Sequence, residues 1–236
     1  MKVQTVAWDE NLVIKFWDHY SKYPELYFTY QFGENIVNIL AEKIKPGSII
    51  LDYGCGTGFI IKHFINKGFE TYGADTSSQS IDFVNKQYKD APNFKGAFLL
   101  NDLFTLNKTF DVILVIEVIE HLTDDFLESL VENVKKLGHS GSKIIFTTPN
   151  NENLNDSVVY CPVCDHTFHR WQHVRSWNAE SLTTFIERHG LKVESCFATD
   201  FSDIPPEEGL KKLKHSIRNY FYSASKPHLA AICSIK

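Results

Sequence analysis

The chain has 236 residues and a net charge of −5, from 24 basic and 29 acidic side chains. That length suits one large domain, and the acidic balance argues against a protein that lives on nucleic acid, which usually shows a basic excess or a basic face. No apolar run reaches the ~18 residues of a membrane span, and the mixed start Met1–Glu10 lacks the basic-then-apolar pattern of a secretory leader, so the expected compartment is the cytoplasm. In chain order, residues 1–46 are aromatic-rich (Trp8, Phe16, Trp17, Tyr20, Tyr27) and read as a helical cover. An alternation follows. Strand-like Ser48–Asp52 leads through a glycine turn into a helix ending near Lys67. Glu70–Asp75 precedes a helical Ser78–Lys89, and Ala97–Leu100 is a short apolar run. Phe110–Ile116, FDVILVI, has the continuous apolar character of a strand buried on both faces. Leu122–Leu137 reads as a helix and Lys143–Thr147 as a strand. Residues 150–176 break the rhythm with a high density of Cys, His, Trp and Arg, and read as an insertion near the site. Then come helical Ala179–His189, strand-like Leu191–Ala198, helical Leu210–Tyr220 and a last strand, His228–Ile235. The order predicts a doubly wound α/β sheet of seven strands, and the expected fold has the last of them antiparallel. It is expected to form a single domain divided into cover 1–46, core 47–149, insertion 150–176 and C-terminal part 177–236. The basic residues Lys211, Lys212, Lys214, Arg218 and Lys226 read as a solvated helix face.

The segment LDYGCGTG spans Leu51 to Gly58, where a strand gives way to a helix. Gly54, Gly56 and Gly58 permit close approach of a ligand to the backbone. A dinucleotide fingerprint would place another small residue at position 59, and Phe59 stands there. Asp52, at the strand end, would repel a pyrophosphate and suit a cationic ligand. Asp75 closes the next strand, about 20 residues after the loop begins, where an acid binds ribose hydroxyls. The competing reading is a turn whose glycines serve packing alone. S-adenosylmethionine fits the first reading, since it carries a sulfonium and an ammonium group and no phosphate. LDYGCGTG, GADTS, Asn101-Asp102, FDVILVIEVIEHL and GSKIIFTTPN occur in this order over residues 48–150. The set resembles the motifs of class I S-adenosylmethionine-dependent methyltransferases, which have a Rossmann-like sheet. That resemblance implies that the loop of Gly54, Cys55 and Gly56, with Asp52, holds the methionine part of the cofactor. It implies Asp75 and Thr76 at the ribose, Asp102 and Leu103 flanking the adenine, and the backbone near Ile116 completing the pocket.

IEVIEHL contains Glu117, Glu120 and His121. Their spacing predicts that all three side chains share one face of a helical first turn. Two carboxylates that close repel unless a proton or a cation joins them, and carboxylate with imidazole suits Mg²⁺, Mn²⁺, Fe²⁺ or Zn²⁺. A helix cap at Glu117 and a surface ion pair at Glu120 account for the same spacing. The Glu-x-x-Glu-His signature followed by TTPNNEN resembles the metal-dependent 2′-O-methyltransferases that act on the 3′ end of small RNAs. By that resemblance His173, four residues before Trp177 in HVRSW, joins Glu117, Glu120 and His121 around one divalent ion. The core is also similar to the ubiquinone-pathway O-methyltransferases. Both groups methylate a hydroxyl. The resemblance therefore implies metal-assisted O-methyl transfer to a small molecule or saccharide, with Glu120 and His121 as catalytic residues. Two other readings stay open: an RNA 2′-O-methyltransferase, opposed by the net charge, and a zinc-stabilised binding module without enzymatic activity.

The five cysteines are odd in number and scattered, which argues against a disulfide framework. Cys161 and Cys164, in CPVCDHTFHRWQH, have near zinc-knuckle spacing with His166, His169 and His173. Such a zinc site would compete for His173; otherwise the pair are reduced loop thiols. Arg170, Trp171 and Arg175 either clamp an anionic or aromatic acceptor or face water.

Overall fold

The computed structural model describes residues 4–203 and 226–236. The expected helix Leu210–Tyr220 lies outside the described residues, as do Lys211, Lys212, Lys214 and Arg218. The sheet contains β2 (Ile49–Tyr53), β3 (Glu70–Asp75), β4 (Phe94–Leu99), β5 (Phe110–Ile116), β6 (Gly138–Pro149), β9 (Lys192–Thr199) and β10 (His228–Ser234). Their order is β4-β3-β2-β5-β6-β10-β9. β10 runs antiparallel to both β6 and β9, and the other neighbours pair in parallel. This is the Rossmann-like arrangement expected. β5 is buried as its composition requires. Ile113 and Val115 enter the core on one side of the sheet, and Val112, Leu114 and Ile116 on the other.

The helices α3 (Phe59–Asn66), α4 (Ser78–Tyr88), α6 (Asp124–Leu137) and α7 (Ala179–Arg188) cover the sheet, with the short α5 (Leu100–Leu103) after β4. In α6 the buried residues Leu127, Leu130, Val131, Val134 and Leu137 recur at helical spacing. Asp124 and Asp125 in its first turn and Lys135 and Lys136 in its last oppose the helix dipole. The N-terminal cover consists of α1 (Glu10–Tyr20) and α2 (Phe28–Ala41). The insertion forms a hairpin, β7 (Val158–Cys161) and β8 (His166–His169), to which β1 (Gln4–Thr5) adds in parallel. No helix among the described residues is long and apolar enough to cross a membrane.

The chain winds outward from β2 to β3 and β4, then returns to place β5 beside β2. That reversal opens a crevice at the carboxyl ends of β2 and β5, the place where open α/β sheets bind ligands. The glycine loop, Asp75 and Glu117 all leave their strands at this edge.

Candidate active site

The glycine loop is held by its neighbours. Gly54 and Cys55 both donate their N–H to Ala74 O, at 2.8 and 2.9 Å. Gly54 has φ +83°, and a Cβ there would come within 2.6 Å of Val118 Cγ2; both facts require glycine. The Asp75 carboxylate accepts from Gly56 N at 2.8 Å and from Ser77 N at 2.9 Å, tying loop to turn. Beneath the loop Asp52 is 2% exposed, and its Oδ2 has no hydrogen-bond partner. Thr57 Oγ1 is likewise buried and unpartnered. Burial, then the charge of Asp75, push the Asp52 carboxyl up to about 8. A buried acid of this kind fits a cationic ligand group placed over the loop.

Other expected cofactor residues divide by orientation. Thr76 is exposed beside Asp75, and Asp102 is exposed on α5. The Cys55 side chain is buried under the loop, close enough to Gly73 that a Cβ there would lie 3.0 Å from its Sγ. Leu103, expected beside the adenine, is 1% exposed, with its side chain in the main core, and Ile116 is also buried. Cys55, Leu103 and Ile116 can therefore lend a pocket their main chain only.

The expected helical turn at Glu117–His121 is absent. β5 ends at Ile116, Glu117 takes φ +54°, and α6 begins only at Asp124. Contacts with β6 hold Glu117 in this left-handed state. Its N–H lies 3.1 Å from Thr147 O and 3.2 Å from Thr147 Oγ1, and the Thr147 hydroxyl donates to Glu117 Oε1 at 2.8 Å. His121 N then closes a turn on Val118 O at 3.1 Å. Tertiary contacts, and not helical spacing, gather these side chains.

What they gather is a buried cluster. Glu120 is 1% exposed; its Oε2 accepts from Thr148 Oγ1 at 3.0 Å and its Oε1 has no hydrogen-bond partner. His121 Nε2 lies 3.7 Å from that Oε1, and His121 Nδ1 is buried without a partner. His173 arrives from the insertion, its ring centroid 4.8 Å from that of His121. One ligand atom from each of Glu120, His121 and His173 lies within 4.8 Å of the others. Glu117 stands outside that group, with Oε2 facing His228 Nδ1 at 3.5 Å. Burial, then the Glu117 charge, hold the Glu120 carboxyl well above its usual range. Burial, then His173, hold the His121 imidazole well below its own. One carboxylate and two imidazoles with orphaned buried atoms form a donor set that fits a divalent cation.

Two neighbours were not expected at this cluster: Glu152 is not singled out as a ligand by the sequence, and His169 falls in the zinc-knuckle reading with Cys161 and Cys164. Glu152 and His169 form a second group with His173, again with ligand atoms within 4.8 Å. Glu152 lay within the TTPNNEN motif, and His169 stands four residues before His173; those were the available signals. The cover closes over the cluster. Trp17 packs edge-on against His121 at 4.8 Å, and its Nε1 donates to Gln172 Oε1 at 3.1 Å. Gln172, fully buried, donates to His121 O at 2.8 Å.

The zinc-knuckle reading is not assembled among the described residues. Cys161 pairs across the hairpin with His166, and His169 pairs with Val158, three register steps away, or ~10 Å along the strand. His169 and His173 lie with Glu152 instead. Arg175, one of the expected acceptor clamps, is committed to Leu122 O at 2.9 Å and Asp124 Oδ1 at 2.8 Å. Arg170 is exposed, with its guanidinium 5.0 Å from the Trp171 ring.

A family model described as a methyltransferase domain matches residues 25–196. The mitochondrial ubiquinone biosynthesis O-methyltransferase of Schizosaccharomyces pombe is 24% identical, over 89% of this chain and 85% of its own. A ubiquinone biosynthesis O-methyltransferase of Rickettsia bellii is 32% identical over 43% of this chain and 46% of its own. The glycopeptide N-methyltransferase MtfA, solved with S-adenosyl-L-methionine, shares the fold with a TM-score of 0.62 at 13% identity, covering 86% of this chain and 94% of that one. The chain belongs to the methyltransferase-domain family, as a class I S-adenosylmethionine-dependent methyltransferase similar to the ubiquinone biosynthesis O-methyltransferases.

Proposed function

We propose that the chain methylates a hydroxyl oxygen of a small molecule or saccharide, assisted by a divalent cation held by Glu120, His121 and His173; Glu117, expected as a fourth ligand, is turned toward Thr147 and His228 instead. The observation that carries this reading is the pair of unpartnered buried atoms, Glu120 Oε1 and His121 Nδ1, in a cluster with His173. Unpaired buried polar atoms cost about 1–3 kcal/mol each, and such a cost concentrated at the cofactor edge is a mark of function. The O-methyltransferase relatives support oxygen as the attacked atom.

In the reaction the acceptor oxygen bonds to the cofactor methyl carbon as the carbon–sulfur bond breaks, and the sulfonium becomes a thioether. The hydroxyl proton goes to a group of the site that does not hold the cation; Glu117 Oε2, beside the cluster but outside the ligand group, is a carboxylate oxygen available for it. A bound divalent cation would lower the acceptor's pKa and orient its oxygen. Asp52 and the glycine loop hold the methionine part, and Asp75 the ribose. Alignment of methyl and oxygen at near contact supplies much of the rate, and the aromatic cover around Trp17 keeps water from the cluster.

The test is Glu120→Ala with S-adenosylmethionine and a panel of hydroxylated acceptors. Methyl transfer should fall ~10²-fold or more while calorimetry shows unchanged cofactor binding. Chelation should mimic the substitution, and added Mg²⁺ or Mn²⁺ should restore the wild type alone. Full wild-type activity in excess chelator would remove the cation from the scheme and leave His121 as a base acting alone.

A further inference from the structure

The hydrogen bonds of the insertion fix the position of one proton after another. Backbone N–H groups can only donate, and those of Trp171 and His173 both point at His169 Nδ1, at 3.3 and 3.2 Å. His169 Nδ1 must accept, so the neutral ring carries its hydrogen on Nε2. That Nε2 is buried, has no hydrogen-bond partner of good geometry, and lies 3.5 Å from Glu152 Oε1. The other carboxylate oxygen, Glu152 Oε2, lies 2.5 Å from His173 Nδ1. An ionised carboxylate only accepts, so His173 Nδ1 is the donor, and the lone pair of the His173 ring is left on Nε2. His169 also stacks on His173 at 4.5 Å and 19°, which limits rotation of the His173 ring.

We propose that Glu152 is a positioning residue that locks His173 in the Nδ1–H tautomer, so that the ring offers Nε2 to the Glu120–His121 cluster, with His169 anchoring Glu152 from behind. The consequence for metal affinity rests on the cation reading given above; the tautomer does not. The same bonds rule against a second ion at Glu152, His169 and His173, although their ligand atoms are as close as those of the first group. A His169 ring whose Nδ1 accepts two main-chain N–H groups keeps its proton on Nε2 and has no lone pair left to give. Burial works against the Glu152 charge, yet the hydrogen bond from His173 and the neighbouring imidazoles hold its carboxyl below the usual range, in keeping with an acceptor-only carboxylate. A carboxylate behind a metal-binding histidine fixes the ring's tautomer and orientation, and its loss typically costs 10- to 100-fold in metal affinity.

The tautomers are read directly from long-range ¹H–¹⁵N imidazole spectra of the full-length, metal-free protein. The expected wild-type pattern is a pair of opposites, His169 as Nε2–H and His173 as Nδ1–H. Glu152→Ala should release His173 toward the Nε2–H form. Glu152→Gln, whose side-chain carbonyl can still accept, should keep Nδ1–H. In parallel, Mn²⁺ titration by calorimetry should show affinity lowered ~10- to 100-fold in Glu152→Ala and less in Glu152→Gln. A wild-type His173 found as Nε2–H overturns the proposal without reference to any variant, so a poorly folding Glu152→Ala cannot shield it. So does a His173 tautomer indifferent to Glu152→Ala. A wild type that shows the opposite tautomers, loses them in Glu152→Ala and binds no divalent ion supports the positioning role and sinks the cation reading instead.

Discussion

Asp52 ends its strand with a carboxyl that is 2% exposed and has one oxygen without a hydrogen-bond partner. With its pKa pushed up to about 8 by burial and then by Asp75, the group is protonated at pH 6 in the free protein. A cationic cofactor favours the ionised form, so binding should release a proton there. Affinity for S-adenosylmethionine should therefore rise as pH climbs from 6 to 8, by at most ~tenfold per unit. Calorimetry in buffers of different ionisation enthalpy should register the proton, and Asp52→Asn should abolish both effects. The free protein should respond in the opposite sense. A folded pKa raised above the unfolded one contributes stability that is fully present below the ordinary carboxylate range and is lost as pH rises through about 8. Urea midpoints of the wild type should then fall, relative to Asp52→Asn, between pH 5 and 9. An unchanged difference across that window would show that Asp52 is ionised throughout. Both strand-end acids were legible in the sequence because their place after a strand is a matter of order along the chain. The inward turn of Cys55 and Leu103 was not, because it depends on the tilt of a loop against Gly73 and of α5 against the core.

At the scale of elements, the turn after β5 is the place where local spacing misleads. Glu117, Glu120 and His121 have helical intervals, yet Thr147 on the neighbouring strand holds Glu117 at φ +54° and delays the helix to Asp124. The turn in turn packs Val118 against Gly54, so the glycine loop and the cluster share a wall. Gly54→Ala should expose this coupling. It costs ~1–2 kcal/mol for a Cβ in a left-handed conformation and a further ~1–3 kcal/mol for overpacking against Val118 Cγ2, 2.6 Å from the new atom. Gly47→Ala is the control: φ is +81° there, but nothing lies within 4 Å of the new Cβ, so only the first cost applies. Denaturant titration should rank the two, with Gly54→Ala losing more and weakening cofactor binding as well. Equal losses would mean that Val118 yields freely and that the shared wall carries no strain.

At the scale of the molecule, the site is a meeting of three segments far apart in the chain: the core edge, the insertion and the cover. α1 has no residue that is itself buried, and side-chain contacts hold it down, among them the rings of Trp17 on Tyr27 and of Tyr20 on Trp171. Trp17 reaches Gln172 and the His121 ring, and the Asp18 carboxylate accepts from Ser77 Oγ at 2.6 Å beside the glycine loop. A helix so held belongs to the low-stability end of local opening. Trp17→Ala should leave Gln172 Oε1 unpaired and destabilise the fold by ~1–3 kcal/mol. Amide exchange should accelerate in α1 and around Gln172 and remain slow in β5 and β6. Unaltered exchange in α1 would show that other contacts hold the cover.

By itself the sequence determined the alternating order, the burial of β5 on both faces and the glycine loop flanked by acids. Each is set by periodicity or by residues within a few positions of one another, and local sterics and solvation act at that range. Only the tertiary structure decided which chemistry-bearing side chains meet. Glu152 and His169 come from separate parts of the insertion, and register alone separates the Cys161–Cys164 end of the hairpin from His169. The conformation of Glu117 comes from a hydroxyl on β6, 30 residues away. Side chains so distant in sequence are joined by the closing of the sheet and the docking of the hairpin, and the local pattern around each of them carries no record of its partner.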